Sequence, residues 1–399
     1  MNLAMHPEYA ALIDKAAESH RCGRTTEDFT GRDIDLARMY CYALRTHSIG
    51  AFHATAEALK HRPVCGAEAM VQRRRALEAL GDLQDQAMDP VPCDFRAVIS
   101  TLHRYHRNIV RALDAMAADS AGIPIAQRFA EIMNQITGSN GLHVASDTEA
   151  PPQACFTVPN LHITIVPLVY GDHHSWNLAY LPEVRGGVPI HRHRHGVEIH
   201  LGYEPLNGSA VLGGFRTAVR EGYAMPIPPG TAHGYLNAGG CPHHVPFVFG
   251  SLRHGGWGVF FDVEPVSRPV AQLLEVPRRS PQFNQMIYLQ REIARACELS
   301  GSRRWILIPA STTNREGSGG LELAIARINQ SGFAWPSDEF RIVSVVNGRG
   351  MLTVAHVSRE VGPHDHFGIP AGMKASLRQL GHAPLVVLDC LIRSASSSR

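Results

Sequence analysis

The chain has 399 residues, with 38 Lys plus Arg against 36 Asp plus Glu, 44% hydrophobic residues and 19% charged ones. That composition belongs to a soluble globular protein long enough for two or three domains. A net charge of +2 gives no basic footprint for nucleic acid, and no apolar run is long enough to span a membrane.

The chain opens Met-Asn-Leu-Ala-Met-His-Pro-Glu, without the basic-then-apolar pattern of a leader. Eight cysteines are scattered with no Cys-x-x-Cys pair, so they read as reduced thiols and a cytoplasmic location is expected. Lysine occurs only at positions 15, 60 and 374. The excess of Arg is first a compositional bias; gripping an anionic substrate is the functional alternative.

Residues 1–145 read as a helical bundle. Ile34, Leu36, Met39, Tyr40, Ala43 and Leu44 recur at helical spacing. So do Met70, Leu77, Leu80 and Leu83 in a helix over 67–87, where Arg73 to Arg75 form a solvated face. Further helices are expected over 95–116 and 125–136. His103 and His106, one turn apart, are read as helix-surface or polar-core residues.

The character changes at Ser139-Asn-Gly and Pro151-Pro. Short strand-like runs follow at 161–170, 176–181, 209–215, 245–249 and 258–263, the pattern of a barrel or sandwich over 146–275. Within it stands His191-Arg-His193-Arg-His195-Gly-Val-Glu198-Ile-His200. Side chains two apart on a strand share a face, so His191 and His193 converge while Arg192 and Arg194 point away. Glu198 is far enough along to enter a neighbouring strand. His233 follows Pro-Ile-Pro228-Pro-Gly230, a rigid bend. Three imidazoles and one carboxylate suit Fe(II), Mn(II), Ni(II), Cu(II) or Zn(II) and leave positions open on a metal that takes five or six donors. A triad of His193, His195 and Glu198 is the alternative. His195 and His200 are otherwise expected beside the ligands or at the rim. The pairs His173-His174 and His243-His244 read as solvated loop residues, and Cys241 is the thiol nearest the motif.

These residues resemble the cupins. Gly222, Pro228, Gly230, His233 and Asn237 fill every fixed position of that family's second motif, and His191, His193 and Glu198 fit the core of the first. The glycines of the first motif depart from it: Gly186 and Gly187 stand close to His191, and Pro205 takes the closing place. The resemblance implies metal ligands His191, His193, Glu198 and His233 inside a jelly-roll barrel. The expected fold is α+β, an N-terminal helical bundle followed by two jelly-roll barrels, the second degenerate.

The second barrel covers 276–399, with a linker at 277–285, a helix at 286–297 and strands at 305–308, 321–328, 341–346, 351–354 and 385–388. Counting back from Gly348-Arg-Gly350 puts Arg341 at the place of the metal Glu. Counting on from Pro370-Ala-Gly372 puts Ala375 at the place of the His. His364-x-His366 lies elsewhere. This half is read as structural, packing against the first barrel and covering its sheet edges.

The expected function is a metal-dependent oxygenase, with Fe(II), acting on a small organic substrate as a homo-oligomer. A Lewis-acid isomerase or lyase and a non-catalytic small-molecule sensor are the other classes. Trp176, Asn177, Tyr180, Tyr203, Tyr235, Phe247, Phe249 and Trp257 are expected around an aromatic pocket. Tyr235 shares the face of His233 and is the expected proton donor; Glu204 is the expected general base.

Overall fold

The computed structural model describes residues 3–22, 29–92, 94–147, 156–158, 163–181, 187–202, 208–219, 222–238, 243–267, 270–314, 319–336 and 338–393. The chain divides into two compact units. One holds Met1–His143 with the segments Pro151–Phe156 and Thr353–Arg359; the other holds Val144–Ala150, Thr157–Leu352 and Glu360–Arg399.

The first unit is built on α1 (Pro7–Cys22), α2 (Gly31–His61), α3 (Ala67–Met88), α4 (Phe95–Ala117) and α5 (Ile123–Thr137). Local chemistry sets the helix starts. Thr30 and Asp33 cap α2 reciprocally, the hydroxyl accepting from Asp33 N and the carboxylate from Thr30 N. Asp94 caps α4, and Pro124 sits in the first turn of α5. The long α2 runs through the core and buries Leu36, Tyr40, Leu44, Phe52 and Leu59. Each such side chain contributes about 1.5–3 kcal/mol of apolar burial. Met70 is 56% exposed at the start of α3, so the buried face of that helix begins later, at Ala76.

The strands, in chain order, are β1 (Ala145–Ser146), β2 (Phe156–Val158), β3 (Ile163–Tyr170), β4 (His174–Leu181), β5 (Gly187–Arg192), β6 (Val197–Leu201), β7 (Gly208–Leu212), β8 (Phe215–Val219), β9 (Tyr223–Ile227), β10 (His233–Asn237), β11 (His243–Gly250), β12 (Glu264–Pro265), β13 (Leu274–Glu275) and β14 (Ile287–Tyr288). There follow α6 (Leu289–Glu298), β15 (Arg303–Ile308), α7 (Ala310–Thr313), β16 (Gly320–Ile328), β17 (Phe333–Trp335), β18 (Arg341–Asn347), β19 (Arg349–Val354), β20 (Val357–Val361), β21 (Asp365–Ile369), β22 (Ala375–Leu380) and β23 (Leu385–Arg393).

The sheets order as β12-β5-β10-β7-β8-β13 and β14-β9-β6-β11-β4-β3-β2, then β17-β22-β19-β20 and β1-β21-β18-β23-β16-β15. The cores β5-β10-β7-β8 and β9-β6-β11-β4 repeat as β17-β22-β19-β20 and β21-β18-β23-β16. These are two jelly rolls of one topology, as the resemblance implied.

The two barrels meet on these repeated sheets. A Cβ on Gly250 would stand 2.8 Å from Leu321. His174 Nε2 lies 3.2 Å from the carbonyl of Cys390, and Trp176 packs on His366 with centroids 5.5 Å apart.

One expected strand is absent. Gly256–Phe260 is a 3-10 helix closed by Gly258 N to Gly255 O, after Gly255 turns the chain at φ +66°. No helix among the described residues is long and apolar enough to cross a membrane.

Candidate metal centre

Strand pairing assembles the site. His191 and His233 are direct partners across β5 and β10, and their rings lie tilted to each other at 4.2 Å between centroids. His193 lies just past the end of β5. The Pro-Pro-Gly turn is tied to it, because Gly230, at φ +75°, donates its N–H to the carbonyl of His193 at 2.7 Å. Glu198 arrives on β6, in the facing sheet. All four side chains are buried, and one donor atom from each lies within 4.8 Å of the others.

The hydrogen bonds set which nitrogens face inward. His191 Nδ1 donates to Pro189 O at 2.8 Å, His193 Nδ1 to Asp262 O at 2.6 Å and His233 Nδ1 to Thr231 O at 2.9 Å. A carbonyl only accepts, so Nε2 of each neutral ring is left as a lone pair. Glu198 Oε2 lies 2.8 Å from His193 Nε2 and 3.4 Å from His233 Nε2. Glu198 Oε2 and His233 Nε2 are buried with no hydrogen bond among the described residues.

Electron-pair donors turned on one another call for a cation between them. The three rings and the carboxylate fit a divalent transition metal as donor set and as geometry. Without one, a proton must serve. Burial alone would lower the pKa of His193, but the Glu198 carboxylate overrides it and pushes the value up. Burial would raise that of Glu198, but His233 and His200 hold it well below the carboxylate range. Burial and the neighbouring His233 keep His191 well below its ordinary value.

Asp262 is the residue that the sequence reading missed. Its carbonyl holds His193, and its carboxylate accepts from the backbone N–H groups of Arg194 at 3.1 Å, His195 at 2.8 Å and Gly196 at 2.7 Å. One side chain thus shapes the turn between the second and third ligands. It lies 69 residues from His193, and no local spacing announces it.

His195 does not join the donors. Its Nε2 lies 3.0 Å from Arg253 and its ring is 5.5 Å from that of His254, so the alternative triad is not formed. His200 does approach the site: it is 2% exposed, with Nε2 at 2.6 Å from Glu198 Oε1.

Tyr235 is buried two residues after His233. Its hydroxyl lies where a Cβ on Gly208 would stand, at 2.2 Å, with no hydrogen-bond partner among the described residues. Burial pushes its pKa up to about 12. Glu204, Tyr203 and Cys241 lie outside the described residues. His174 is a buried core residue against the second barrel rather than a solvated one.

Beside the donors opens a narrow recess lined by Ile165, Ala179, Val188, Val245, Phe247, Val259 and Val263 together with His191, His193, Glu198 and His200. The lining is aliphatic rather than aromatic, which corrects the sequence expectation. Of the aromatic residues expected there, Phe247 lines it. Phe249 packs on the His193 ring at 4.9 Å, Trp176 faces His366 and Trp257 meets Tyr170 edge to face. Among the described residues no Lys or Arg lines the recess.

The same register locates the corresponding place in the second barrel. Glu198 pairs with Ile227 and Arg341 with Ile369; His191 pairs with His233 and Trp335 with Ala375. Arg341, Trp335 and Ala375 therefore stand where Glu198, His191 and His233 stand. Arg341 Nη1 donates to Asp389 Oδ2 at 3.0 Å, Arg304 Nε at 2.8 Å and Trp335 Nε1 at 3.3 Å, while Arg304 Nη2 reaches Glu322 Oε1 at 2.9 Å. An ion network fills this place. His364 and His366 both turn to Asp147, at 2.9 and 3.2 Å.

No family model matches the chain, and no curated protein sequence matches it. Among solved structures, salicylate 1,2-dioxygenase of Pseudoaminobacter salicylatoxidans with gentisate is similar at TM-score 0.44 and 14% identity, over 57% of this chain and 73% of that one. A mutant of the oxalate decarboxylase of Bacillus subtilis is similar at TM-score 0.41 and 13% identity, over 61% and 78%. At these scores the likeness says nothing of this chain's reaction.

Proposed function

We propose that the chain is a metal-dependent enzyme of small organic substrates, and that its reaction is an Fe(II)-dependent oxygenation. The supporting observation is the donor set His191, His193, Glu198 and His233, of which His191, His193 and Glu198 line a largely aliphatic recess. Four donors leave positions free on a metal that takes five or six. Bound iron would supply Lewis acidity and an electron source for dioxygen.

The protein's own residues do the rest. Ile165, Ala179, Val188, Val245, Phe247, Val259 and Val263 hold an apolar substrate body and exclude water. Tyr235 stays a phenol at neutral pH, the form that can give up a proton, and Glu204 is the proposed base. His200, lining the recess beside Glu198, favours a second reading, a metal-assisted isomerase or lyase that moves a proton on the substrate.

Metal analysis of freshly purified protein comes first, with about one divalent ion per chain expected and its loss in His193→Ala. Substrates found by a dioxygen-uptake screen are then assayed under argon. Turnover that stops without dioxygen supports oxygenation; undiminished turnover sinks it and promotes the isomerase or lyase. Tyr235→Phe tests the proton donor, since that role requires a fall in turnover of about 100-fold or more.

A further inference from the structure

We propose that His200 is a positioning residue of the metal centre, which pins one oxygen of Glu198 so that the carboxylate offers only the other to the metal. The inference rests on the metal reading of the site.

Alternation along β6 puts Glu198 and His200 on one face. The two oxygens of Glu198 are then sorted between different neighbours. Oε2 faces His193 Nε2 at 2.8 Å and His233 Nε2 at 3.4 Å, whereas Oε1 faces His200 Nε2 at 2.6 Å. A carboxylate accepts, so His200 Nε2 carries the proton and donates it into a short, charge-assisted bond. His200 Nδ1 is left buried without a hydrogen bond among the described residues.

Packing alone would not call for that arrangement, because an apolar side chain fills the volume without stranding a nitrogen. Its cross-strand partners Met225 on β9 and Phe247 on β11 are both buried and flank it on either side. A carboxylate free to use both oxygens occupies two positions on a metal; one held at Oε1 occupies one. His200 thereby keeps the protein's share at four donors and preserves room for substrate.

The test uses the full chain and Mn(II) alone, with dissociation constants from chelator competition and the Mn(II) electron paramagnetic resonance spectrum. His200→Phe keeps a ring and loses the donor; His200→Gln keeps an N–H donor. The Phe variant is expected to weaken Mn(II) binding about 10- to 100-fold and to change the spectrum, and the Gln variant to recover most of the affinity and the wild-type spectrum. If the Phe variant does not fold, His200→Met takes its place with the same expectation.

Unchanged affinity and spectrum in the Phe variant, or equal losses in Phe and Gln, would overturn the inference and leave the metal reading intact. A wild-type chain that takes up no Mn(II), or a His193→Ala chain that takes up as much as wild type, overturns the metal reading and the inference with it.

Discussion

Asp262 holds His193 from behind: its carbonyl oxygen accepts the Nδ1 proton of His193 at 2.6 Å, across 69 residues of chain. Its carboxylate meanwhile gathers three successive backbone N–H groups, those of Arg194, His195 and Gly196. A ligand ring held by a backbone carbonyl keeps both its tautomer and its angle, and the carboxylate keeps that carbonyl in place.

Replacing Asp262 with Ala frees the turn between His193 and Glu198. Metal affinity should fall about 10-fold or more, as for other groups that orient a ligand, while His191 and His233 stay paired across β5 and β10. Chelator competition on the purified variant measures it. An unchanged dissociation constant would show that the strands alone place His193.

Acid stability offers a second check. Burial is the main cause that lowers the pKa of His143 and of His174 to about 3, from the ordinary 6.5. Both rings are neutral in the folded chain at pH 5, whereas the unfolded chain protonates them below about 6.5. The unfolded state binds more protons over that window, so stability falls as pH drops from about 6.5 towards 3, by about 1.4 kcal/mol per pH unit for each ring. In metal-free protein His193 acts in the opposite sense, its raised value giving stability that is lost as pH rises. His174→Gln keeps a donor for the carbonyl of Cys390 and removes one titrating ring. Its urea midpoint should vary less between pH 7 and pH 5 than that of the wild type; an equal slope contradicts the neutral, buried His174.

The seam between the barrels predicts the effect of truncation. Gly250 lies against Leu321 and Ile392, Trp176 against His366, and His174 against Cys390. Deleting residues 300–399 strips the outer face of β4, β6 and β11 and leaves it to other copies of the chain. Insoluble protein is expected on expression. A soluble truncation that keeps its metal and activity would show that the first barrel stands alone.

The four clustered donors were legible because strand alternation and a rigid Pro-Pro-Gly turn are local facts, and two motifs together supply them, three from the first and His233 from the second. Arg341 and Ala375 were legible for the same reason, by counting from Gly348 and from Gly372, and the strand register agrees. Trp335 and Asp389 were not, since their roles arise only when β17, β18 and β23 meet. The helices α2 to α5 followed from apolar spacing, while α1 had no assignment of its own. The segment 258–263 reads as a strand by its Val and Phe residues, yet Gly255 and the contacts behind it turn the chain into a 3-10 helix. The recess proved aliphatic because nearness in sequence does not tell which way a strand residue points. Trp176 and Phe247, partners' neighbours in β4 and β11, face opposite sides of one sheet.

Asp389 decides whether the ion network of the second barrel is held by charge or by packing. It is 0% exposed and accepts from Arg304, Arg341 and Trp335 at once. Arg341 is itself 4% exposed, so removing the carboxylate leaves a buried guanidinium with Glu339 as its remaining acidic partner among the described residues, at 3.3 Å. Breaking such a pair from one side costs about 3–5 kcal/mol, because the remaining charge loses its partner but not its desolvation. Asp389→Ala should therefore lower the urea midpoint sharply. The exposed pair of Arg192 with Glu264 is the control: its loss in Arg192→Ala should lower the midpoint far less. Equal losses in the two variants would mean that Asp389 contributes no more than a surface pair. Recovery of the Asp389→Ala loss by adding Arg341→Met, which removes the stranded charge, would identify the unpaired guanidinium as the cause.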